Sequence, residues 1–321
     1  MAAKILVSDS LAEEGLEVLR QDAEVEVKTD LTPQQLVEAI GQYDALVVRS
    51  GTKVTAAVIE AGQQLRVIGR AGVGVDNIDV EKATERGIIV VNAPTPTVVA
   101  VAEHTMALLL ATARYVPLAD ASLRQGKWLK KQLKGTTVAG KVLGIVGLGR
   151  IGTAVAKRAR AFDMEIVAYD PYLTREQIKG RGATPVSSLE KLLERSDFVT
   201  LHVTLTPETQ GMIGVRELDM MKPTARLINC DRGAVVDEEA LLKALEEGRL
   251  AAAGLDCFCE EPAIGNPLCC HQRVVATPHI AASTVEAQRD VAQEIAWQIL
   301  IALRGKRPQH LVNPKVWASR R

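Results

Sequence analysis

Short apolar runs, each followed by a stretch with helical spacing of its apolar residues, recur along the chain. "KILVSD" (4–9) reads as a buried strand, and "SLAEEGLEVLRQ" (10–21) follows with Leu11, Leu16 and Leu19 on one helical face. The pair recurs as "VEVKT" and "TPQQLVEAIGQ", where Thr32 caps and Pro33 takes the first helical position. "ALVVRS" with "TAAVIEAG", "LRVIGRAG" with a polar helix over 79–86, and "IIVVNAP" complete a first series. Such alternation predicts a parallel sheet covered on both faces. From Thr95 the pattern predicts one long helix through "VVAVAEHTMALLLATARYVPLADASLRQGKW", apolar on much of its circumference and so buried in a bundle or a subunit interface. Alternation then restarts with "KVLGIVGLG", "EIVAYD", "FVTLHV", "ARLINCD", "AAAGLD" and "VVATPH", and "TVEAQRDVAQEIAWQILIALRGK" closes the chain as an amphipathic helix. The expected fold class is α/β with two doubly wound parallel-sheet domains. The first is expected over 1–95 and the second over 96–281, with 282–321 returning to the first. Crossings at "NAPTPT" and "TPHIAAST" would make a hinge with a cleft between the domains.

Composition narrows the function. The 321 residues carry 39 basic and 39 acidic side chains, so no global field attracts nucleic acid or an anionic membrane. Any anion site must be local. No apolar run reaches the ~18 residues of a spanning helix, and "MAAKILVSDS" has no signal-peptide pattern, so a cytoplasmic protein with no membrane partner is expected. Five cysteines, at 230, 257, 259, 269 and 270, fit reduced thiols better than a disulfide framework. Cys257, Cys259, Cys269, Cys270 and His271 match no common zinc spacing, and no metal is expected.

Glycines alone often just end strands, but Gly147, Gly149 and Gly152 follow "VLGIV" directly and open "IGTAVAKRARAF". In that setting the first glycine permits the turn, the second admits a pyrophosphate, and the third lets helix pack on strand. The helix N-terminus faces the phosphates, and Arg150 adds a charge. Asp170 ends the next strand, where a carboxylate accepts from the adenosine ribose hydroxyls and repels a 2′-phosphate. That predicts NAD rather than NADP, with a helix cap before Pro171 as the other reading of Asp170.

A nicotinamide enzyme acting on an alcohol needs a proton acceptor, a group that orients it, and a cation for the substrate's anionic end. Among five histidines, His279 lies at the C-terminal end of the strand "VVATP", where open α/β sheets bind ligands. Glu260 or Glu261, after "GLDCFC", is placed to orient it, and Arg232 in "LINCDRG" is placed to clamp a carboxylate. His202 in "VTLHV" reads as a satisfied strand-end histidine, and His104 on the long helix as packing or interface.

"GLGRIGTAVAKRARAF…YDP", "LINCDRGAVVDEEALLKALEEGRLAAAGLDCF", "EEP" and "TPHIAAST" resemble the D-isomer-specific 2-hydroxyacid dehydrogenase family over nearly all of the chain. Within it, "VVRSGTKVTAAVIEAG", "VIGRAGVGVDNIDVEKATERGIIVVNAP" and "GKWLKKQLKGTTVAGK" resemble the branch that oxidises D-3-phosphoglycerate, the entry to serine. The resemblance implies a flavodoxin-like substrate domain and a Rossmann NAD-binding domain. It gives Arg232 the keto acid, His279 the proton and Glu261 the pairing with His279. It adds Ile151, Cys230 and Asp256 to the NAD contacts, with strand-terminating turn chemistry as the alternative for Asp256. Arg49, Lys53 and Arg70 would approach a small phosphorylated 2-hydroxy acid. Lys130 would reach across from a neighbouring subunit of a homodimer formed through the long helix after residue 98.

Three features depart from the family pattern: Asp231 where a small residue is usual, Val73 and Val203 where threonine is frequent, and "NAPTPTVVAVAEHT" without Gly-Asn. Asp231 is expected either to compete for Arg232 or to weaken anion binding. A hydroxypyruvate or glyoxylate reductase is the alternative enzyme, and an NAD-sensing protein resembling the C-terminal-binding corepressors is the alternative outside catalysis. No regulatory amino-acid-binding segment is expected within these residues.

Overall fold

The computed structural model describes residues 2–318. One compact unit takes the chain up to Thr97 and again from Ser283, and the other is Val98–Ala282. In the first, strands β1 (Ala3–Val7), β2 (Ala23–Val27), β3 (Ala45–Val48), β4 (Val67–Arg70) and β5 (Ile89–Asn92) form a parallel sheet ordered β2-β1-β3-β4-β5. This is the flavodoxin-like order. The apolar runs of β1, β3, β4 and β5 are buried because helices cover both faces, whereas "AEVEV" of β2 alternates with glutamates as an edge strand does. Helices Glu13–Arg20 and Val285–Leu303 pack together on one face, and Pro33–Ala39, Ala56–Ala61 and Val80–Glu85 cover the other. Thr32 forms the expected cap, with Gln35 closing a reciprocal capping box.

The second unit holds β6 (Val142–Val146), β7 (Glu165–Tyr169), β8 (Thr184–Pro185), β9 (Phe198–Leu201), β10 (Arg226–Asn229), β11 (Ala252–Leu255) and β12 (Val274–Ala276). Their parallel order is β12-β11-β10-β9-β6-β7-β8, the doubly wound Rossmann arrangement with β6 as its first strand. The chain order reverses between β6 and β9, which are hydrogen-bonded neighbours, and the site is built around that reversal. Only β8 was invisible as a pattern, being two residues long.

The long helix expected after Thr95 is two helices, Val98–Arg114 and Val116–Arg124, bent by 64°. Tyr115 takes a left-handed φ of 55°, and Pro117 in the next turn lacks the N–H that a continuous helix needs. The first helix packs against β10 and β11 and is buried on much of its surface. Buried Arg226 fastens its end by donating from Nε to the Thr112 carbonyl (3.3 Å) and lying over the Phe198 ring. The second helix leaves Val116 and Leu123 exposed, as is Trp128 beyond it. Among the described residues no single helix is long and apolar enough to cross a membrane.

Candidate active site

At the end of β6 the chain turns through Gly147 with φ 85°, a conformation that side-chain-bearing residues rarely adopt. A Cβ there would overlap the His202 carbonyl at the end of β9, so the loop is pressed onto the neighbouring strand end. Gly152 likewise lets the helix start sit on the Gly147 carbonyl. Gly149 differs: a Cβ would meet nothing within 4 Å, leaving open space above the start of helix Arg150–Ala161. Gly149 supplies no side-chain cap, so the first N–H groups are left for an outside acceptor such as a pyrophosphate. Arg150 is exposed at that end, and Ile151 packs partly into the core.

Asp170, just beyond β7, accepts from Leu148 N (2.9 Å) through Oδ2 and from Tyr172 N (2.9 Å) through Oδ1. It therefore serves as a local turn former and also ties β7 to the glycine loop. Each oxygen keeps a lone pair for ribose hydroxyls. Arg181 donates to the Leu148 carbonyl, holding the same residue from its other side.

β10, β11 and β12 lie side by side, and their C-terminal ends carry the candidate catalytic groups. His279 Nδ1 lies 2.7 Å from Glu261 Oε2 and 3.0 Å from Oε1, and Glu261 Oε1 also accepts from Phe258 N at 3.1 Å. Geometry thus selects Glu261 over Glu260. The carboxylate accepts a hydrogen bond from Nδ1–H, which leaves Nε2 of the neutral imidazole with a lone pair that can accept a proton. His279 itself has φ 53°, held by its N–H donating to the Asp256 carbonyl (2.7 Å).

Arg232 follows β10. Buried Asn229 donates from Nδ2 to the Arg232 carbonyl (2.9 Å) and accepts from Asp231 N (3.1 Å), which fixes the backbone that carries the guanidinium. Arg232 Nη1 donates to the Asp231 carbonyl (2.6 Å) and lies 3.8 Å from Asp231 Oδ1. The expected competition for Arg232 therefore has a geometric basis.

Asp256 is fully buried. Its Oδ1 accepts from Thr277 Oγ1 (2.6 Å) and Ile280 N (2.8 Å), and its Oδ2 from Ala281 N (2.8 Å). Burial pushes its pKa up, but these donors together with His104 outweigh burial and leave it lowered. Cys230 lies buried beside this region, its thiol pushed up to about 12 by burial, so it is a neutral wall rather than a nucleophile.

The chain matches the family described as "D-isomer specific 2-hydroxyacid dehydrogenase, NAD binding domain" over residues 106–281. It is 52% identical over 310 residues to D-3-phosphoglycerate dehydrogenase of Methanocaldococcus jannaschii, covering 97% of this chain and 59% of that protein. The chain spans less than two thirds of the length of the curated relatives it matches. A protein of known structure from Thermus thermophilus is 38% identical, with TM-score 0.88, over 96% of this chain and 99% of the other. An NADPH-dependent glyoxylate/hydroxypyruvate reductase of Sinorhizobium meliloti, solved with NADP and malonate, is 29% identical, with TM-score 0.86, over 98% of each chain. The chain belongs to the D-isomer specific 2-hydroxyacid dehydrogenases. It carries their NAD-binding domain, and the open space above Gly149 with Asp170 at the β7 end fits that coenzyme.

The remaining candidate residues are placed as follows. Arg49 and Arg70 stand at the C-terminal ends of paired strands β3 and β4 in the first unit. Asp9 Oδ2 accepts from Arg49 N (2.6 Å) and Thr52 N (3.1 Å), and Asn77 Nδ2 donates to the Arg49 and Thr52 carbonyls (2.7 and 2.6 Å). The loop bearing Arg49 and Lys53 is thereby braced from both sides. Lys130 is exposed in the second unit. Val73 is exposed, Val203 packs partly into the core, and neither offers a hydroxyl. Sequence reasoning missed the contact of His104, whose Nε2 lies 3.0 Å from Thr277 Oγ1 and 3.3 Å from Asp256 Oδ1. Its only local signal was a histidine inside an apolar helix.

His202 has its Nε2 3.0 Å from Thr200 Oγ1, and burial pushes its pKa down to about 3. The folded state keeps it neutral, whereas the unfolded chain protonates it near its ordinary value of 6.5. Between those values the unfolded state binds more protons, so stability is expected to fall as pH drops through that window. Urea midpoints measured across the window should decline less steeply in His202→Asn; an identical acid slope would assign the effect to other groups.

Proposed function

We propose that the chain catalyses NAD-dependent oxidation of D-3-phosphoglycerate to 3-phosphohydroxypyruvate, the entry step to serine. The observation that carries the reading is the His279–Glu261 pair, with Nδ1 held against the carboxylate, on a strand end near that of Arg232. Names of relatives at 42–52% identity support the substrate. Arg232 clamps the carboxylate and polarises the C2 oxygen, and His279 Nε2 takes the hydroxyl proton while Glu261 stabilises the imidazolium that forms. NAD, held by Gly147, Gly149, Arg150, Ile151, Gly152, Asp170, Cys230 and Asp256, supplies the hydride acceptor. Arg49, Lys53 and Arg70 bind the phosphate end. A cytoplasmic homodimer, with Lys130 contributed by the neighbouring subunit, completes the proposal; the exposed Val116, Leu123 and Trp128 support such an interface.

The ion-pair distance between Asp231 and Arg232 favours one second reading, a reductase of smaller 2-keto acids that places less anionic charge in the pocket. Steady-state NAD reduction over a panel of 2-hydroxy acids decides between them. D-3-phosphoglycerate should be turned over in preference to D-glycerate. Arg49→Ala should raise KM for the phosphorylated substrate about 30-fold while changing that for D-glycerate little, as loss of a charge-assisted contact implies. Equal losses for both, or a preference for D-glycerate in the parent, would refute the phosphate assignment.

A further inference from the structure

The turn that carries His279 is wound around one buried carboxylate. Asp256 holds Ile280 N and Ala281 N with its side chain and His279 N with its carbonyl, and Thr277 donates its hydroxyl hydrogen to Oδ1 at 2.6 Å. Having donated that hydrogen, the Thr277 oxygen can only accept from its other neighbour. That neighbour is His104 Nε2, at 3.0 Å, so Nε2 carries a hydrogen, and Nε2 also lies 3.3 Å from Asp256 Oδ1. The His104 side chain is mostly buried and Asp256 wholly so, which shields the chain of bonds from competing water. His104 comes from the Val98–Arg114 helix, remote in sequence from the strand ends it fastens. Removing its N–H would leave Thr277 free to rotate its hydroxyl away and Asp256 short of a donor, and an under-satisfied buried carboxylate pulls in water or shifts.

We propose that His104 is a positioning residue for the acid–base turn. Its Nε2–H fixes Thr277 and Asp256, and these set the left-handed backbone from which His279 projects. The inference rests on the proposed role of His279 for its catalytic consequence, but not for its structural one. The structural consequence is therefore measured separately, in the coenzyme-free protein.

Two variants test it. His104→Phe removes the donor and keeps a ring of similar size, and His104→Gln keeps an N–H. Amide hydrogen exchange is followed at Ile280 and Ala281, with β6 amides as the internal reference. His104→Phe should accelerate exchange at Ile280 and Ala281 about tenfold relative to β6, as loss of one buried hydrogen bond implies, and lower kcat by a similar factor. His104→Gln should restore most of both. Unchanged exchange at the two amides, an acceleration shared equally by β6, or a glutamine variant no better than the phenylalanine one would each overturn the proposal. If His279 proved dispensable while the exchange result held, the proton-transfer reading would fall and the positioning of the turn would stand.

Discussion

Exchange of His279 for glutamine is expected to lower kcat for NAD-dependent oxidation by about a thousandfold, the usual range for loss of a positioned general base. Glutamine approximates the size and keeps a hydrogen bond to Glu261, but it has no lone-pair nitrogen able to take a proton. The His279 and Glu261 side chains bond to each other and to Phe258 N rather than to the glycine loop, so the dissociation constant for NAD, read by quenching of tryptophan fluorescence, should stay within about threefold. A kcat within tenfold of the parent would remove His279 from the acid–base role. Glu261→Gln is the companion case. Its amide can offer its N–H₂ as well as its oxygen to Nδ1, so the Nε2 lone pair is no longer enforced and the forming imidazolium loses its carboxylate. Its loss should be smaller than that of the histidine variant, because the imidazole itself remains.

Much of this site was legible in the sequence because its parts lie at strand ends, and strand ends are where periodicity stops. Gly147 through Gly152 announced the turn, and Arg232 and His279 each lie within a few residues of the end of an apolar run. Asp170 was also visible, and its bonds to Leu148 and Tyr172 show the turn-forming role while leaving a lone pair on each oxygen for the proposed coenzyme-facing one. Choosing between Glu260 and Glu261 from residue type alone was impossible, since the choice depends on how the segment after β11 curls back to place Oε2 against Nδ1. The break at Tyr115 was hidden for a different reason. Apolar spacing runs through it unbroken, and only Pro117 signalled that the hydrogen-bond ladder must stop. His104 escaped because its partner Thr277 is distant along the chain, and no local pattern encodes such a pair.

Gly233→Ala is the second variant with a large expected effect, and it acts on backbone rather than on chemistry. Gly233 follows Arg232 at the start of a short 3₁₀ turn, and a Cβ there would fall inside the Phe258 carbonyl group and against Cys259 N. These neighbours are main-chain atoms, so no flexible side chain can swing aside. Phe258 N is also hydrogen-bonded to Glu261, and Cys259 N donates to Glu238 Oε1 at 2.6 Å, so that strand exit is tied down on its far side. A methyl group must therefore separate the Arg232 loop from the Glu261 segment, which this close approach holds in register. Overpacking against fixed backbone costs about 3 kcal/mol or more, and the separation should also remove most turnover, since catalytic groups misplaced by about 1 Å lose roughly a hundredfold. Chemical denaturation gives the first number and steady-state kinetics the second. Retained stability together with retained activity in Gly233→Ala would mean that the two segments do not need to meet there. Retained stability with lost activity would isolate the effect to the spacing of Arg232 from the His279–Glu261 pair.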